Sequence, residues 1–577
     1  MRDASYFNNP ITPRQKQYEV VRSIIVNKLT VKQATEKFGY TPYTIHSLLR
    51  DFRNSKLELF PTDIKPGPIK RRTTKETQKK IISYRKQLLS CVDIAQKLQQ
   101  DGIKISVRTI EYILKEAGFK KLPRRANADR GLTVKEHFIP KRATQIDFDN
   151  LKPFSYDCPV AGVYFFIPYI IESGIIDILT NCKLPESSEI NAKQACLSML
   201  LLKLIGNKRL SHMGSYDHEP GLGIFAGLNI LPKATYMSTY SCRTSELNLY
   251  DLQKKAILHL KQTYPQFYNS EFINLDFHSI PHFGDESQME KVWCGARNKT
   301  MKGANTLFAQ DSASNIILYT KADILRKNET KEILNFISYW KDINNDVTET
   351  LVFDCKLTTY TILDKIHDDK IKFITLRKRN KSLLKKVDEI PSKSWKKVYL
   401  PIPKRKHKRC SVYESNVTLN KCHNSFRQII IRDHGRSEPT FLITNNTKLK
   451  LKDVLIVYAQ RWHIENKFAE LAAFFNLNAL SSPLMIRIHF DILWTVIADA
   501  LYHRFTQDLP RFEKERAYSI FRKFIDMPGR IIFDGNKFII KIRKRAMTPI
   551  LLGIEKLQGE INVPWLSYKT ISFEFTA

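Results

Sequence analysis

The chain has 577 residues, too many for one hydrophobic core, and this length predicts about three or four domains. Its 43% hydrophobic and 11% aromatic residues exclude a disordered protein. The best apolar stretch, 160–179, contains Pro168, Glu172 and Asp177, which are costly in lipid and argue against a membrane span. The first residues contain no apolar segment of a secretion signal, so we expect a soluble cytoplasmic protein.

Positive charge is the strongest bulk feature. The 93 lysines and arginines outnumber 58 acidic residues and give a formal net charge of +35, which favours binding to polyanions such as nucleic acids. An even lysine-rich bias would spread this charge along the chain. Instead, fourteen basic residues lie between Leu376 and Cys410, where Asp388 and Glu389 are the only acids. The sequence therefore predicts a nucleic-acid-binding segment here.

The nine cysteines are scattered, odd in number and without a Cys-x-x-Cys pair. This spacing argues against a disulfide framework and against a structural zinc site. We therefore expect nine ordinary reduced thiols.

Residues 13–53 show the apolar periodicity of three helices, the last two at 31–38 and 42–53. Between these two, Gly39 suits a left-handed turn, and Thr41 suits the N-cap of the next helix. The pattern predicts a helix-turn-helix motif, and the alternative is a generic three-helix bundle. The last helix presents side chains able to bond to bases or phosphates: Tyr43, Thr44, His46, Ser47 and Arg50.

A second unit of the same kind follows the first. Helices are predicted at 91–98 and 107–117, the second with Ser106 at its N-cap and Gly118 after its last turn. Arg108 faces outward on that helix and is a candidate DNA contact. The repeat favours a pair of DNA-reading modules over a single bundle.

The joint between the two units, 61–74, is basic and stiffened by prolines. Its Arg71 and Arg72 suit a DNA backbone or minor groove, although basic proline-rich segments are usually plain linkers. Two tandem readers joined by a basic arm resemble the bipartite, paired-type N-termini of transposases.

Residues 160–265 show a helical pattern in which Ala192–Leu204 is a strong amphipathic run. No catalytic set is visible in this region. We expect a spacer that also suits dimerisation.

At 272 the apolar period changes from 3.6 to 2, which indicates a sheet. The predicted elements are, in order, strands at 272–278, 305–310 and 315–319, a helix at 329–340, a strand at 350–354 and a helix at 358–366. This is the order of a ribonuclease H-like fold, in which the first and fourth strands are neighbours. Asp276 and Asp354, near the ends of those strands, are therefore predicted to face one another.

A third acid, Glu465, lies in a predicted helix at 454–475. Tyr458, Arg461 and Glu465 fall on one face of that helix, at positions i, i+3 and i+7. Each acid alone has an ordinary explanation, either as a helix cap or as a surface ion pair. All three in this fold order are difficult to obtain by chance.

These residues resemble the DDE transposases of bacterial insertion sequences, over about 160–505. They are most similar to the group with a β-rich insertion before the catalytic Glu and a Tyr-Arg-Glu-Lys signature. Tyr458, Arg461 and Glu465 match that signature, whereas the Lys position is Ala472. Lys467 is the nearest lysine on the predicted helix.

The resemblance implies a two-metal reaction on DNA. Asp276, Asp354 and Glu465 would be the catalytic residues and the ligands of two Mg²⁺ ions, with Mn²⁺ as a substitute. Tyr458, Arg461 and Lys467 would hold DNA near the scissile phosphate.

The resemblance also implies the partners. They are double-stranded DNA, as transposon terminal inverted repeats and as target, and further copies of the chain in a dimer or higher oligomer on DNA. The basic insertion, with Lys404, Arg405 and Lys406, would line transposon-end DNA. A nucleoid-associated protein of a bacterial cytoplasm is expected.

The fold class expected is multidomain α/β. Its predicted parts are a helix-turn-helix domain (1–60), a basic linker (61–74), a second helix-turn-helix domain (75–125), a helical spacer (126–265), a ribonuclease H-like catalytic domain (266–379 and 439–510), a basic β-rich insertion (380–438) and a C-terminal helix and β-hairpin region (511–577).

The sequence contains other acids and histidines of the types that could fill the same role. Asp147 and Asp149 are not followed by the strand, hairpin and helix order that a catalytic strand needs, and Asp311 suits a hairpin turn. His278 and His282 are more simply interpreted as structural residues than as metal ligands.

The function predicted is a transposase that binds the ends of its insertion sequence and performs strand cleavage and strand transfer. One alternative is a sequence-specific DNA-binding regulator derived from a transposase. Another is a metal-dependent DNA nuclease without strand transfer, because the same acids serve both reactions.

Overall fold

The computed structural model describes residues 7–60, 73–122, 142–216, 218–284, 289–402, 407–479, 482 and 484–576. Contacts divide the chain into two compact units, Met1–Phe138 and Ile139–Ala577. The predicted DNA contacts of the linker and of the insertion loop lie outside the described residues: Arg71, Arg72, Lys404, Arg405 and Lys406.

The first unit contains two three-helix bundles. The helices are α1 (Pro13–Ile25), α2 (Val31–Phe38), α3 (Pro42–Arg53), α4 (Lys75–Lys86), α5 (Cys91–Gln100) and α6 (Val107–Glu116). Each bundle has a small core of its own, one around Val20, Ala34 and Ile45, the other around Ile81 and Ile94. Helix α4 was not predicted, because its polar, lysine-rich surface hides its few apolar positions.

The turn between α2 and α3 forms as its residues predict. Gly39 is left-handed, with φ of 68°, and ends α2. The Thr41 side chain accepts a hydrogen bond from the Thr44 backbone N–H at 3.3 Å, with Pro42 in the first turn. These local signals fix the bounds of both helices as predicted.

The second unit combines helices with two sheets. Its helices are α7 (Ile167–Glu172), α8 (Ile175–Thr180), α9 (Ala192–Leu204), α10 (Pro220–Phe225), α11 (Ala234–Tyr240), α12 (Glu246–Thr263), α13 (Glu332–Asn344), α14 (Tyr360–Asp368), α15 (Lys381–Asp388), α16 (Leu451–Gln460), α17 (His463–Ala473), α18 (Met485–Gln507), α19 (Ala517–Ile520) and α20 (Thr548–Leu552).

Its strands are β1 (Phe154–Cys158), β2 (Phe272–Pro281), β3 (Lys291–Cys294), β4 (Lys299–Asp311), β5 (Ile317–Lys321), β6 (Thr350–Phe353), β7 (Phe373–Leu376), β8 (Lys396–Tyr399), β9 (Arg409–Thr418), β10 (Ser425–Arg432), β11 (Thr440–Thr444), β12 (Gly529–Phe533), β13 (Phe538–Arg543), β14 (Ile561–Asn562) and β15 (Thr570–Thr576).

The larger sheet contains the strand order expected of a ribonuclease H-like fold. Strand β4 pairs antiparallel with both β5 and β2, and β2 pairs parallel with β6, which pairs parallel with β7. Leu275 of β2 lies opposite Phe353 of β6. The first and fourth predicted strands are therefore neighbours, as expected.

The predicted basic insertion is not a separate β-domain. Strand β7 pairs with β11, and β10, β9 and β8 follow in turn, all antiparallel, so the insertion continues the catalytic sheet. These pairings join strands from distant parts of the sequence, which local patterns do not specify.

The predicted helical spacer is likewise part of the second unit. Its helices share one core with α18 and with the C-terminal sheet. Helix α9 has the predicted bounds but is not amphipathic, since it is buried on all sides from Gln194 to Leu204. A helix that is apolar all round belongs to the interior of a large domain rather than to a free surface.

The smaller sheet closes the C-terminal end, in the order β1, β12, β13, β15 and β14. Strands β12 and β13 form the predicted antiparallel hairpin, with Gly535 at φ of 104° in its turn. Each of the nine cysteines is a free thiol. Within the described part of the chain, the helices are too short or too polar to cross a bilayer.

The hairpin of β3 and β4 crosses β2 so closely that Gly303 has no room for a side chain. A Cβ there would meet the Ile280 carbonyl oxygen and lie 2.9 Å from Val292 Cγ2. We expect Gly303→Ala to lower the free energy of unfolding by about 1–3 kcal/mol, measured by urea denaturation. Gly295→Ala, in the same hairpin but with nothing within 4 Å, is the control and should change it by less than about 0.5 kcal/mol. Equal effects of the two substitutions would contradict this interpretation.

Candidate active site

The three predicted acids come from separate elements and line one cavity of about 760 Å³, together with Glu290 and Glu329. Asp276 lies on β2, and Asp354 is the first residue after β6. Leu275 of β2 pairs with Phe353 of β6 in parallel register. The residues that follow them in sequence, Asp276 and Asp354, are therefore neighbours as well. Glu465 reaches the same cavity from the first turn of α17.

Arg461 lies among these acids. Its guanidinium forms an ion pair with Asp276, and its Nη2 lies 3.8 Å from Glu465 Oε1. Burial alone would lower the pKa of Arg461, but the charge and hydrogen bond of Asp276, together with Tyr458 and Asp354, outweigh it and raise the pKa. Burial raises the pKa of Asp276, an effect that the Arg461 charge partly offsets.

The helix predicted at 454–475 is interrupted at Arg461. Helix α16 ends at Gln460 and α17 begins at His463. The connection is one tight turn, in which Ile464 N–H donates to the Arg461 carbonyl and Glu465 N–H to the Trp462 carbonyl. The prediction of one continuous helix was wrong, and the break lies where Arg461 meets Asp276.

Tyr458 lies one turn before this break. Its ring lies 5.7 Å from the Arg461 guanidinium carbon, and burial raises the pKa of its hydroxyl. Tyr458 and Arg461 also line a second cavity of about 590 Å³, which shares Asp354 and Glu465 with the first. The acids therefore lie where two open cavities meet.

The donor set has the chemistry that Mg²⁺ and Mn²⁺ prefer, since all three predicted ligands are carboxylates. Asp354 is close enough to Asp276 for its charge to raise the pKa of that carboxyl. Glu465 is 62% exposed and contacts Arg461. Among the described residues no three His, Cys, Asp or Glu side chains are gathered tightly enough to hold a metal ion. Asp276 and Asp354 supply two neighbouring carboxylates of the kind that a divalent cation binds, whereas Glu465 does not complete a three-ligand cluster with them.

His278 also lines the cavity; its Nε2 hydrogen-bonds Asn478 Oδ1 at 2.7 Å, and its ring packs on Phe468. Other residues of the cavity were not predicted from sequence. Trp293, on the unpredicted strand β3, is exposed at the cavity wall, as is the charged Lys356. An isolated Trp in a four-residue strand gives no sequence signal for such a position.

The prediction that Lys467 contacts DNA was wrong. Its amine is buried and forms an ion pair with Asp499 Oδ1 at 2.7 Å. Ala472, at the signature lysine position, lines the cavity. Asp311 accepts the backbone N–H groups of Ala313 and Ser314, which is the turn role expected of it.

In the first unit, the predicted reading helices carry their polar residues outward. Tyr43 is 89% exposed, and Thr44, Arg50 and Arg108 are also exposed. Arg50 donates to the Ser47 hydroxyl at 3.1 Å. The surfaces predicted to read DNA are therefore accessible, and their DNA contacts remain a prediction.

The larger sheet thus has the strand order of a ribonuclease H-like fold, and the three predicted acids meet at one cleft of it. Residues 286–501 match the family model described as the transposase DDE domain. The match includes Asp354, Arg461 and Glu465 and begins after Asp276. The chain therefore contains a DDE transposase region within a mixed α/β protein.

Solved structures add a remote likeness. The chain is similar to a piggyBac transposase synaptic complex with hairpin DNA at 10% identity and TM-score 0.33, covering 66% of this chain and 80% of that one. It is similar to a pre-cleavage Mos1 transpososome at 9% identity and TM-score 0.13, covering 63% and 77%. A Mos1 mariner paired-end complex with Mn gives 11% identity and TM-score 0.12, covering 63% and 77%. No curated protein matches the chain.

Proposed function

We propose that this protein is an insertion-sequence transposase that binds its element's ends and catalyses strand cleavage and strand transfer. The observation that supports this proposal most is the meeting of Asp276, Asp354 and Glu465 at one cavity of a DDE transposase region. Each acid comes from a different element, so an incidental surface cluster is a poor explanation.

Cleavage and joining are both in-line displacements at phosphorus, in which negative charge develops on the attacking and leaving oxygens. Divalent cations held by these carboxylates would supply the Lewis-acid chemistry that activates the nucleophile and stabilises the leaving oxygen. Asp276 and Asp354 would hold one cation between them, and Glu465 would complete the second site. This arrangement needs both Asp276 and Glu465 to release Arg461.

Arg461 is suited to a second role once a phosphate enters. Its planar guanidinium can contact two phosphate oxygens at once, which a lysine cannot do. The buried hydroxyl of Tyr458 lies beside it. We assign Arg461 to the scissile phosphate and Tyr458 to the orientation of Arg461.

Substrate DNA would be held by positive surfaces on both units. The insertion contributes exposed lysines on α15 and β8: Lys381, Lys385, Lys386, Lys396 and Lys397. The exposed residues of α3 and α6 would read the two terminal inverted repeats. Such a protein acts on paired ends, so we expect a dimer or higher oligomer on DNA.

A nuclease without strand transfer and a regulator without catalysis are separable from this function by one assay. Purified protein is incubated with Mg²⁺, a duplex carrying the element end, and a supercoiled target plasmid. A transposase yields both nicked end DNA and end–plasmid joints. A nuclease yields only cut ends, whereas a regulator binds the ends without cutting them. Either of these two results would refute the proposal.

The second reader offers a separate test of end recognition. Arg108→Ala is expected to weaken binding to end DNA by about 1–3 kcal/mol, roughly 5- to 150-fold in Kd, if Arg108 contacts a base. Fluorescence anisotropy with end and scrambled duplexes measures this. The control is Lys115→Ala, in the last turn of the same helix. A Kd for scrambled DNA that weakens as much as the Kd for end DNA would show that Arg108 reads no sequence.

A further inference from the structure

A buried charged network lies behind the helix that carries Glu465. Lys467 of α17 forms an ion pair with Asp499 of α18 at 2.7 Å and lies 3.6 Å from Glu470 Oε2. Lys467 and Asp499 are only 6% and 3% exposed. Glu470 Oε1 also accepts the Ala517 backbone N–H at 3.4 Å, at the start of α19. Lys467 thus links α17 to α18, and Glu470 links α17 to α19.

Such a network is a poor means of adding stability. Two charges removed from water lose hydration that their mutual attraction barely restores, and apolar residues of similar volume often do as well. Asp499 Oδ2 is buried with no hydrogen-bond partner, and burial raises the pKa of the Asp499 carboxyl. The pair is therefore better explained by a role in orienting the helices that it joins than by a contribution to stability.

The position of Lys467 on α17 determines which face of that helix is turned towards the cavity. Two residues along an α-helix turn the side chain by about 200°, so Lys467 and Glu465 point to opposite sides. The side with Glu465 also carries Phe468, Ala469 and Ala472, all of which line the active-site cavity. Fixing Lys467 against α18 therefore fixes which side of α17 faces the cavity.

We propose that the Lys467–Asp499 ion pair is a positioning device that sets the rotation of α17 and so aims Glu465 at the metal-binding acids. Lys467 is a positioning residue, not a catalytic one, since its buried side chain does not line the cavity. This inference rests on the proposed function, because Glu465 matters only if the cavity binds metal.

The test compares three variants of the full chain. Lys467→Met leaves Asp499 buried and unpaired, and it should lower Tm by about 5–10 °C. Lys467→Met/Asp499→Leu removes both charges and should recover most of that loss. Asp499→Asn removes the carboxylate charge that pairs with Lys467 at nearly the same side-chain volume, and it is the test variant if the double variant does not fold.

The chain contains a matched control. Lys203 of α9 and Asp491, also on α18, form another ion pair at 2.9 Å, in which Lys203 is buried and Asp491 is partly buried. This pair does not involve α17. Lys203→Met/Asp491→Leu should therefore keep both catalysis and metal affinity at wild-type levels.

Two readouts distinguish positioning from structure. Mn²⁺ affinity by isothermal titration calorimetry, without DNA, should fall about 10- to 100-fold in the Lys467/Asp499 double variant and in Asp499→Asn. The kcat for cleaving end DNA should fall by a similar factor, with KM unchanged. Wild-type Mn²⁺ affinity and kcat in either variant would overturn the proposal. A failed proposed function would instead appear as wild-type protein that does not cleave, while the Mn²⁺ affinities still rank the variants.

Discussion

Asp276→Asn is expected to abolish Mg²⁺-dependent cleavage of end DNA while leaving DNA binding intact. The amide removes the negative charge from the strand position beside Asp354, so a divalent cation loses one of its two adjacent ligands. A loss of about 4 kcal/mol of charge stabilisation corresponds to a cleavage rate roughly 1000-fold lower. Single-turnover cleavage on a labelled end duplex measures the rate, and anisotropy measures binding.

The matched control for that experiment is Asp149→Asn. Asp149 is exposed and is the rival acid that the sequence offered. It should cleave as the wild type does. Undiminished cutting by Asp276→Asn, or a similar loss in both variants, would refute the assignment of the catalytic acids.

Arg461→Gln is expected to lower kcat for cleavage by roughly 100-fold or more, because it removes a preorganised positive charge from the developing phosphate charge. Arg461 is only 13% exposed and is paired with Asp276, so this charge is held in a partly dry site. Affinity for end DNA should change little, since many other cations hold the duplex. Steady-state kinetics separates the two effects.

Arg427→Gln provides the comparison for that substitution. Arg427 is 14% exposed and forms an ion pair with Glu414 at 2.9 Å within the sheet. It therefore reproduces the burial and pairing of Arg461 away from the three acids. If both variants lose the same activity, the loss reflects general destabilisation and Arg461 has no special role.

The predictable features of the site are those that short sequence segments encode. Strands β2 and β6 are brief apolar runs with an acid where a core residue or a turn is expected, and both signals are local. The adjacency of Asp276 and Asp354 then followed from the order of the elements. The match to a known signature added Tyr458, Arg461 and Glu465.

The missed features depend on residues far apart in sequence. The partner of Lys467 is Asp499, on another helix, so its burial could not be read from α17. The turn at Arg461 arises without Gly or Pro, and no local residue type marks it. The strands of the insertion joined the catalytic sheet through pairings that only the folded chain specifies.

The continuity of that sheet has a mechanical consequence. Strands β7, β11, β10 and β9 form one hydrogen-bonded array from the strand beside Asp354 out to the basic region. A domain on a flexible linker would allow many different distances between the DNA-binding surface and the cleavage site. In the proposed transposase, the DNA-binding lysines and the catalytic acids would belong to one continuous sheet, so a bound duplex would be cut at a fixed number of base pairs from the place where it is held.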